Sequence, residues 1–289
     1  MANVKFCYPN WTLPTVTVTP AVTGAGWLDL NLLQGEVLSE MARYPGVDPT
    51  STKFVIDLGT ERDMRILAIP FHNAKPGDTA RMRLATDAGM TDILLDTGAI
   101  KFFQEVYPWG ALEWGRVEWS DGRLTPEQAA GRMPPWIYIA PEPVIGRYLE
   151  VSFDFSGNPD GYVDVGQIVA SPSITPAYNV SYGCTPPFPR DPSTKTRLRG
   201  GPQFADKQRK YLYTRMQLDW LSGDELYGQF YELVREYGVT KPIFFIFDSD
   251  APAVTLYKQS FMALIERVGD PALAYHDVNK LEIEISQAF

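Results

Sequence analysis

The run from Phe54 to Gly59, FVIDLG, constrains the fold more than any other part of the chain. Phe54, Ile56 and Leu58 fall on one side of an extended backbone and Val55 and Asp57 on the other, the period-two alternation of a strand covered on one face. Leu58-Gly59 reads as a turn that ends it. Comparable runs follow in ILAIPF at 66–71, RYLEV at 147–151 and VGQIVAS at 165–171. Tyr148, Glu150 and Ser152 alternate with Leu149, Val151 and Phe153, and the cluster Gly157, Asn158, Pro159, Asp160, Gly161 supplies a turn into YVDVGQIVA. These runs frame a β-sandwich, and no catalytic signature lies inside the frame.

At 289 residues the chain is long enough for two cores, since single cores rarely grow past roughly 250 residues. SPSITPAYNVSYGCTPPFPRDP, over 171–192, carries six prolines and reads as a connector that resists regular structure. The expected division is a β-sandwich over 1–175, a Pro-rich linker over 176–190 and an α+β unit over 191–289. In the second unit YLYTRMQLDW alternates as a strand, and SGDELYGQFYELVREYG carries a helix. Ser222 is placed as its N-cap with Glu225 completing a capping box, and Gly238 is placed to end it in a left-handed cap. KPIFFIFD, QSFMALIERV and NKLEIEISQ supply the sheet under that helix. The segment 104–136 reads as an insertion, because Trp109, Trp114 and Trp119 recur there among Gly, Glu and Arg.

A net charge of −9 excludes a nucleic-acid groove as the main function, because such a groove needs a positive field to displace counterions from phosphate. The stretch KTRLRGGPQFADKQRK at 195–210 departs from that charge, with Lys and Arg against a single Asp; it reads as a basic arm meeting an acidic partner or as a solvated loop. No apolar run is long enough to span a membrane, and MANVKFCYPNWTLP lacks the pattern of a secretory signal, so assembly in a cytoplasm is expected. Cys7 and Cys184 have no metal or redox spacing and are expected to be reduced thiols, with a bridge across the first unit as the alternative.

Only His72 and His276 are present, which removes most routes to imidazole catalysis and to zinc. His72, at the end of a strand in PFHNAKPGD, reads as a hydrogen-bonded loop histidine. Asp248 and Asp250 in FDSDAP form the best carboxylate pair, and a turn held by Asx-type hydrogen bonds explains them more simply than a cation. Asp154, Asp160 and Asp164, around the Gly-Asn-Pro turn, admit the same account. No cofactor and no metal is expected. The sharper candidates are Trp109, Trp114 and Trp119 with Arg116: flat rings flanked by charge suit a sugar or a protein interface, or they pin the insertion onto the sandwich.

Trp27, the loop to Arg43-Tyr44-Pro45, FVIDLG, ILAIPF, RYLEV and VGQIVAS follow the order seen in discoidin-like (galactose-binding-like) jelly rolls, and the similarity covers about residues 25–175. It implies a mainly β fold, in a class whose members bind sugars, lipids or proteins or brace an assembly. With RLRGGPQF, an alternating strand, a capped helix and the closing LEIEISQAF, the layout resembles minor tail proteins of long-tailed bacteriophages, particularly distal-tail or baseplate components. That resemblance implies a non-enzymatic virion protein that forms a homo-oligomeric ring in the tail and contacts other tail proteins, with Arg197, Arg199, Tyr211, Tyr213 and the final strand at the ring contact. The alternative is a carbohydrate-binding module for host-surface glycan, with the three tryptophans as its platform.

Overall fold

The computed structural model describes residues 3–13, 16–21, 26–35, 37–103, 133–197, 203–275 and 278–289. The first ten strands are β1 (Lys5–Cys7), β2 (Thr17–Pro20), β3 (Ala42–Tyr44), β4 (Lys53–Ile69), β5 (Thr79–Ala85), β6 (Ile93–Asp96), β7 (Ile100–Lys101), β8 (Trp136–Asp154), β9 (Val163–Val165) and β10 (Val169–Ser171). The remainder are β11 (Thr185–Arg190), β12 (Thr194–Arg197), β13 (Gln203–Asp206), β14 (Tyr211–Leu221), β15 (Ile243–Ile246), β16 (Ser260–Val268), β17 (Ala272–Tyr275) and β18 (Val278–Gln287). All pairings between them are antiparallel. The fold is mainly β, as the alternation predicts.

The first sheet runs β10-β4-β8-β5-β6, with β2 added to β4 and β7 to β5. Its two long strands do the shaping. FVIDLG does not end at a turn: β4 continues to Ile69, with its register against β8 shifted between Asp57 and Arg62 and again between Met64 and Ile66. Gly59 sits at φ +76° in the first of these bulges, where its N–H donates to Asp57 Oδ1 at 2.8 Å. Arg147 of β8 clamps the same carboxylate at 2.7 and 2.9 Å, and holds its pKa below the ordinary carboxylate range. The curl wraps the sheet around a core of Phe54, Ile56, Met64, Leu67, Phe153 and Phe155. Trp27 packs edge-on against Phe54, with ring centroids 5.3 Å apart.

The second sheet runs β1-β15-β16-β18-β14-β11, with β17 added to β18. A helix over 223–236, α1, covers one face. Its capping box is present: Ser222 Oγ accepts from Glu225 N at 3.2 Å and Glu225 Oε2 accepts from Ser222 N at 2.9 Å. Gly238, at φ +53°, ends the helix with its N–H on Val234 O at 2.9 Å. Leu226, Phe230 and Leu233 press the helix onto Met216, Phe245, Ile265 and Ile283.

Two stretches lie elsewhere than the sequence places them. Lys5–Cys7, assigned to the first unit, pairs with β15 and belongs to the second sheet, where Phe6 is fully buried against Phe230 and Phe245. Thr185–Arg190, read as linker, is the edge strand beside β14. Proline cannot donate to a ladder and is tolerated at an edge, so Pro186, Pro187 and Pro189 are compatible with that position.

The units meet across an apolar seam. In β4, Leu67 and Ile69 point into the first core while Ile66 and Ala68 point out of it. In β15, Ile243 and Phe245 face the helix side while Phe244 and Ile246 face away. The outward residues of both strands join Cys7, Val169 and Met262 in one buried cluster. Phe6 also exchanges backbone hydrogen bonds with Ile174 at 3.0 and 2.9 Å, Trp11 N donates to Ala170 O at 2.9 Å, and Tyr8 Oη donates to Glu236 Oε2 at 2.7 Å. Residues 6–11 are thereby tied to both units.

Replacing Phe6 by Ala removes a fully buried ring from the second core and is expected to cost about 3–5 kcal/mol of unfolding free energy. Urea unfolding measures it; a change under about 1 kcal/mol would contradict this placement of the N-terminal strand.

Candidate ligand site

The seam closes at one side and opens at the other into a cleft of about 1050 Å³ between the units. The end of β4 brings Phe71, His72 and Asn73 to one wall, β11 brings Phe188, and β16 with the turn before it brings Tyr257 to Met262. Phe289 closes a third side, and Met133 and its following prolines line the edge where the described chain resumes after residue 103. Phe188 is 70% exposed and Phe289 is 41% exposed, so both rings are accessible from the cleft, that of Phe289 with the Arg209 guanidinium against one face. Pro70, Pro134 and Pro187 also line the cleft.

The charged side chains of the described wall are of one sign. Among the described residues, Lys75, Arg209 and Lys258 line the cleft and no Asp or Glu side chain does. Lys75 is held by Asp160 at 3.0 Å. The Arg209 guanidinium lies 3.7 Å from the Phe289 ring centroid, and Lys258 lies 5.7 Å from that of Tyr257. Tyr257 Oη, Gln259 Oε1 and Ser260 Oγ are buried without a hydrogen-bond partner. Buried polar atoms are nearly always satisfied, so three on one wall mark it out.

His72 is the loop histidine its sequence context predicts. Nδ1 accepts from Ala74 N at 3.1 Å, which assigns the proton to Nε2, 2.8 Å from Pro134 O. The ring packs 4.3 Å from that of Phe102, and its burial pushes the pKa down to about 4. Both ring nitrogens are thus engaged by the backbone, and His72 lines the cleft as a held, neutral ring.

Other predicted residues resolve differently. Asp248 Oδ1 accepts from Asn3 N at 3.1 Å and Asp250 N at 3.2 Å, which is the turn expected of FDSDAP. Asp164 is clamped by Arg43 at 2.7 and 2.6 Å, Asp160 holds Lys75, and Asp154 accepts from Ser156 N at 3.1 Å, so the three aspartates have separate protein partners. Among the described residues, no group of three or more His, Cys, Asp or Glu is arranged to hold a metal, and no helix is long and apolar enough to cross a membrane. Cys7 and Cys184 are unbridged, and burial pushes the Cys7 thiol up and away from thiolate chemistry. Trp109, Trp114, Trp119, Arg116 and Arg199 lie outside the described residues.

Of the ring candidates, Tyr213 is buried. Its hydroxyl donates to Glu284 Oε2 at 2.7 Å, and the Arg190 guanidinium stacks 3.2 Å from its ring centroid. It is an internal brace of the second sheet. Tyr211 is half-buried opposite Arg190, and Arg197 ends β12, paired with Gln203 across a two-stranded hairpin. The sequence reading missed Phe71, Phe188, Phe289 and Tyr257; they come from four distant stretches, and no local pattern joins them.

The sequence matches no family model and no curated protein. Solved structures similar to it include a family 32 carbohydrate-binding module from a family 31 glycoside hydrolase of Clostridium perfringens, with 12% identity over 57% of this chain and 99% of that one, at a TM-score of 0.35. Another is the family 32 module of C. perfringens NanJ in complex with galactose, with 9% identity over 58% and 98%, at 0.34. A third is the family 32 module of AlyQ in complex with 4,5-unsaturated mannuronic acid, with 14% identity over 55% and 95%, at 0.34. At these scores the likeness carries no argument, and the mainly β fold class rests on the strand pairings themselves.

The buried neutral imidazole gives a pH test. The unfolded chain binds the His72 proton near pH 6.5 and the folded chain only near pH 4, so stability contributed by the neutral ring is lost as pH falls through that window, by roughly 3 kcal/mol. Well above pH 6.5, where both states are neutral, the group adds no slope. His72→Gln is expected to flatten the unfolding free energy between pH 6.5 and 4 relative to the parent; parallel profiles would contradict the assignment.

Proposed function

We propose that this chain is a non-enzymatic saccharide-binding protein that holds its ligand in the cleft between its two β units. The observation that carries the reading is the pairing of exposed aromatic rings, Phe188 and Phe289, with polar groups on a concave wall. A sugar presents an apolar C–H face that stacks on rings and a rim of hydroxyls that needs polar partners. The described wall holds no Asp or Glu, whereas glycoside hydrolysis uses two carboxyl groups about 5–10 Å apart. The tryptophan-bearing segment, which leaves the described chain after Phe103 and rejoins it at Met133 on the cleft edge, remains a second candidate contact for the same ligand.

A glycan array probed with the full chain tests the reading. Phe188→Ala and Phe289→Ala are each expected to weaken binding to the best glycan by about fivefold to tenfold. Absence of binding to any glycan, or affinity unchanged in the double variant, would overturn it.

A second reading is assembly, as a structural component of a phage tail tip that forms a homo-oligomeric ring. One observation favours it: β12 and β13 pair only with each other among the described residues, and their exposed Lys195 and the following Lys207 and Lys210 give a basic arm to a chain of net charge −9. Such an arm is complementary to the acidic surface of a neighbouring copy. Mass photometry is expected to report a ring-sized species at low salt that is lost when 194–206 is replaced by a short Gly-Ser link; a monomer at every concentration and salt would contradict it.

A further inference from the structure

We propose that the cleft selects acidic saccharides, those bearing a carboxylate or a sulfate, over neutral ones. The inference rests on the saccharide reading and adds the charge of the ligand to it.

The argument begins with donors and acceptors. Lys and Arg side chains donate hydrogen bonds and accept none, whereas a carboxylate accepts only. Sites for neutral sugars need acceptors for the ligand's hydroxyl protons as well as donors for its oxygens. Here the charged side chains of the described wall are all donors: Lys75, Arg209 and Lys258, with no Asp or Glu side chain among the described lining residues. Such a wall occurs in a chain with 35 Asp and Glu against 26 Lys and Arg, so the cleft reverses the sign of the molecule.

Two of the three cations remain available. Lys75 is occupied by Asp160, but Arg209 and Lys258 are exposed and meet no carboxylate among the described residues. Each instead lies near a ring of the same wall, Phe289 and Tyr257 respectively. A ligand stacked beside those rings therefore brings its substituents within reach of a guanidinium or an ammonium. A guanidinium fork matches the two oxygens of a carboxylate, and the compact ammonium serves either anion.

The third observation is independent of charge. Ser260 is 2% exposed with its Oγ unpartnered, and Tyr257 Oη and Gln259 Oε1 are buried and unpartnered on the same wall. Leaving buried polar groups unpaired costs stability, so their concentration beside the cations fits a wall shaped for a polar ligand more than for an apolar one. The whole wall then suits one class of molecule: a ring with an apolar face, hydroxyl groups, and a negative substituent.

The test is calorimetric titration of the full-length protein with four probes: oligogalacturonate, oligomannuronate, a sulfated galactan oligosaccharide and a neutral galactan oligosaccharide. At least one acidic probe is expected to bind about tenfold or more tightly than the neutral one, with affinity falling as sodium chloride is raised from 0.05 to 0.5 M (set by the experimenter, across roughly a threefold change in Debye length). Arg209→Gln with Lys258→Gln is expected to remove that preference, while Arg235→Gln on the far helix leaves it intact. Preference for the carboxylate probes assigns the Arg209 fork, and preference for the sulfated probe alone assigns the anion as sulfate. Equal binding of neutral and acidic probes, or a preference that survives the double variant, would overturn the charge selection while leaving the saccharide reading in place. No binding of any probe, together with a silent glycan array, would overturn both.

Discussion

The apolar seam between the two sheets is the constraint on which the rest of the structure depends. A sheet usually buries one face and wets the other, but here two strands, β4 and β15, bury both. Ile66 and Ala68 leave the first core to meet Phe244 and Ile246, which leave the second. Each of these side chains would otherwise expose apolar surface in a contiguous patch, so neither unit is complete without the other. The cleft follows from the seam, because it is the place where the two curved faces part.

The N-terminal segment reinforces that arrangement. Phe6 is an interior residue of the second core and an antiparallel partner of Ile174, which follows the last strand of the first unit. Asn10 bridges onward: its Nδ2 donates to Ile168 O at 3.2 Å and its Oδ1 accepts from Ala170 N at 3.0 Å, while its own N–H donates to Tyr237 Oη at 3.3 Å. These bonds cross the division between units at both ends of the first one. The two cores are joined by a shared strand and a shared apolar layer as well as by the Pro-rich connector.

Local chemistry was legible in the sequence where it is local. The alternation of Phe54, Ile56 and Leu58 correctly gave a one-sided strand, all three being buried, and Ser222, Glu225 and Gly238 marked both ends of the helix. Continuous apolar runs carried more than was read from them: ILAI at 66–69 and IFFI at 243–246 are buried throughout because each strand faces two layers. The prolines of 185–190 discourage regular structure in general, but an edge strand needs few ladder donors. KFC at 5–7 is too short for any periodicity, and only the partner strand defines it. The cleft was not legible at all, since Phe71, Phe188 and Phe289 converge from stretches more than a hundred residues apart. Net charge is no guide to a local site: in a chain of net charge −9 the described cleft wall carries Lys75, Arg209 and Lys258.

Calorimetric unfolding of the full chain tests most directly whether the seam makes one body of the two cores. The account predicts a single transition in which the calorimetric and van't Hoff enthalpies agree, because β1 and the apolar layer cannot be lost from one unit and kept by the other. Two resolved transitions, with the first sheet melting apart from the second, would contradict it.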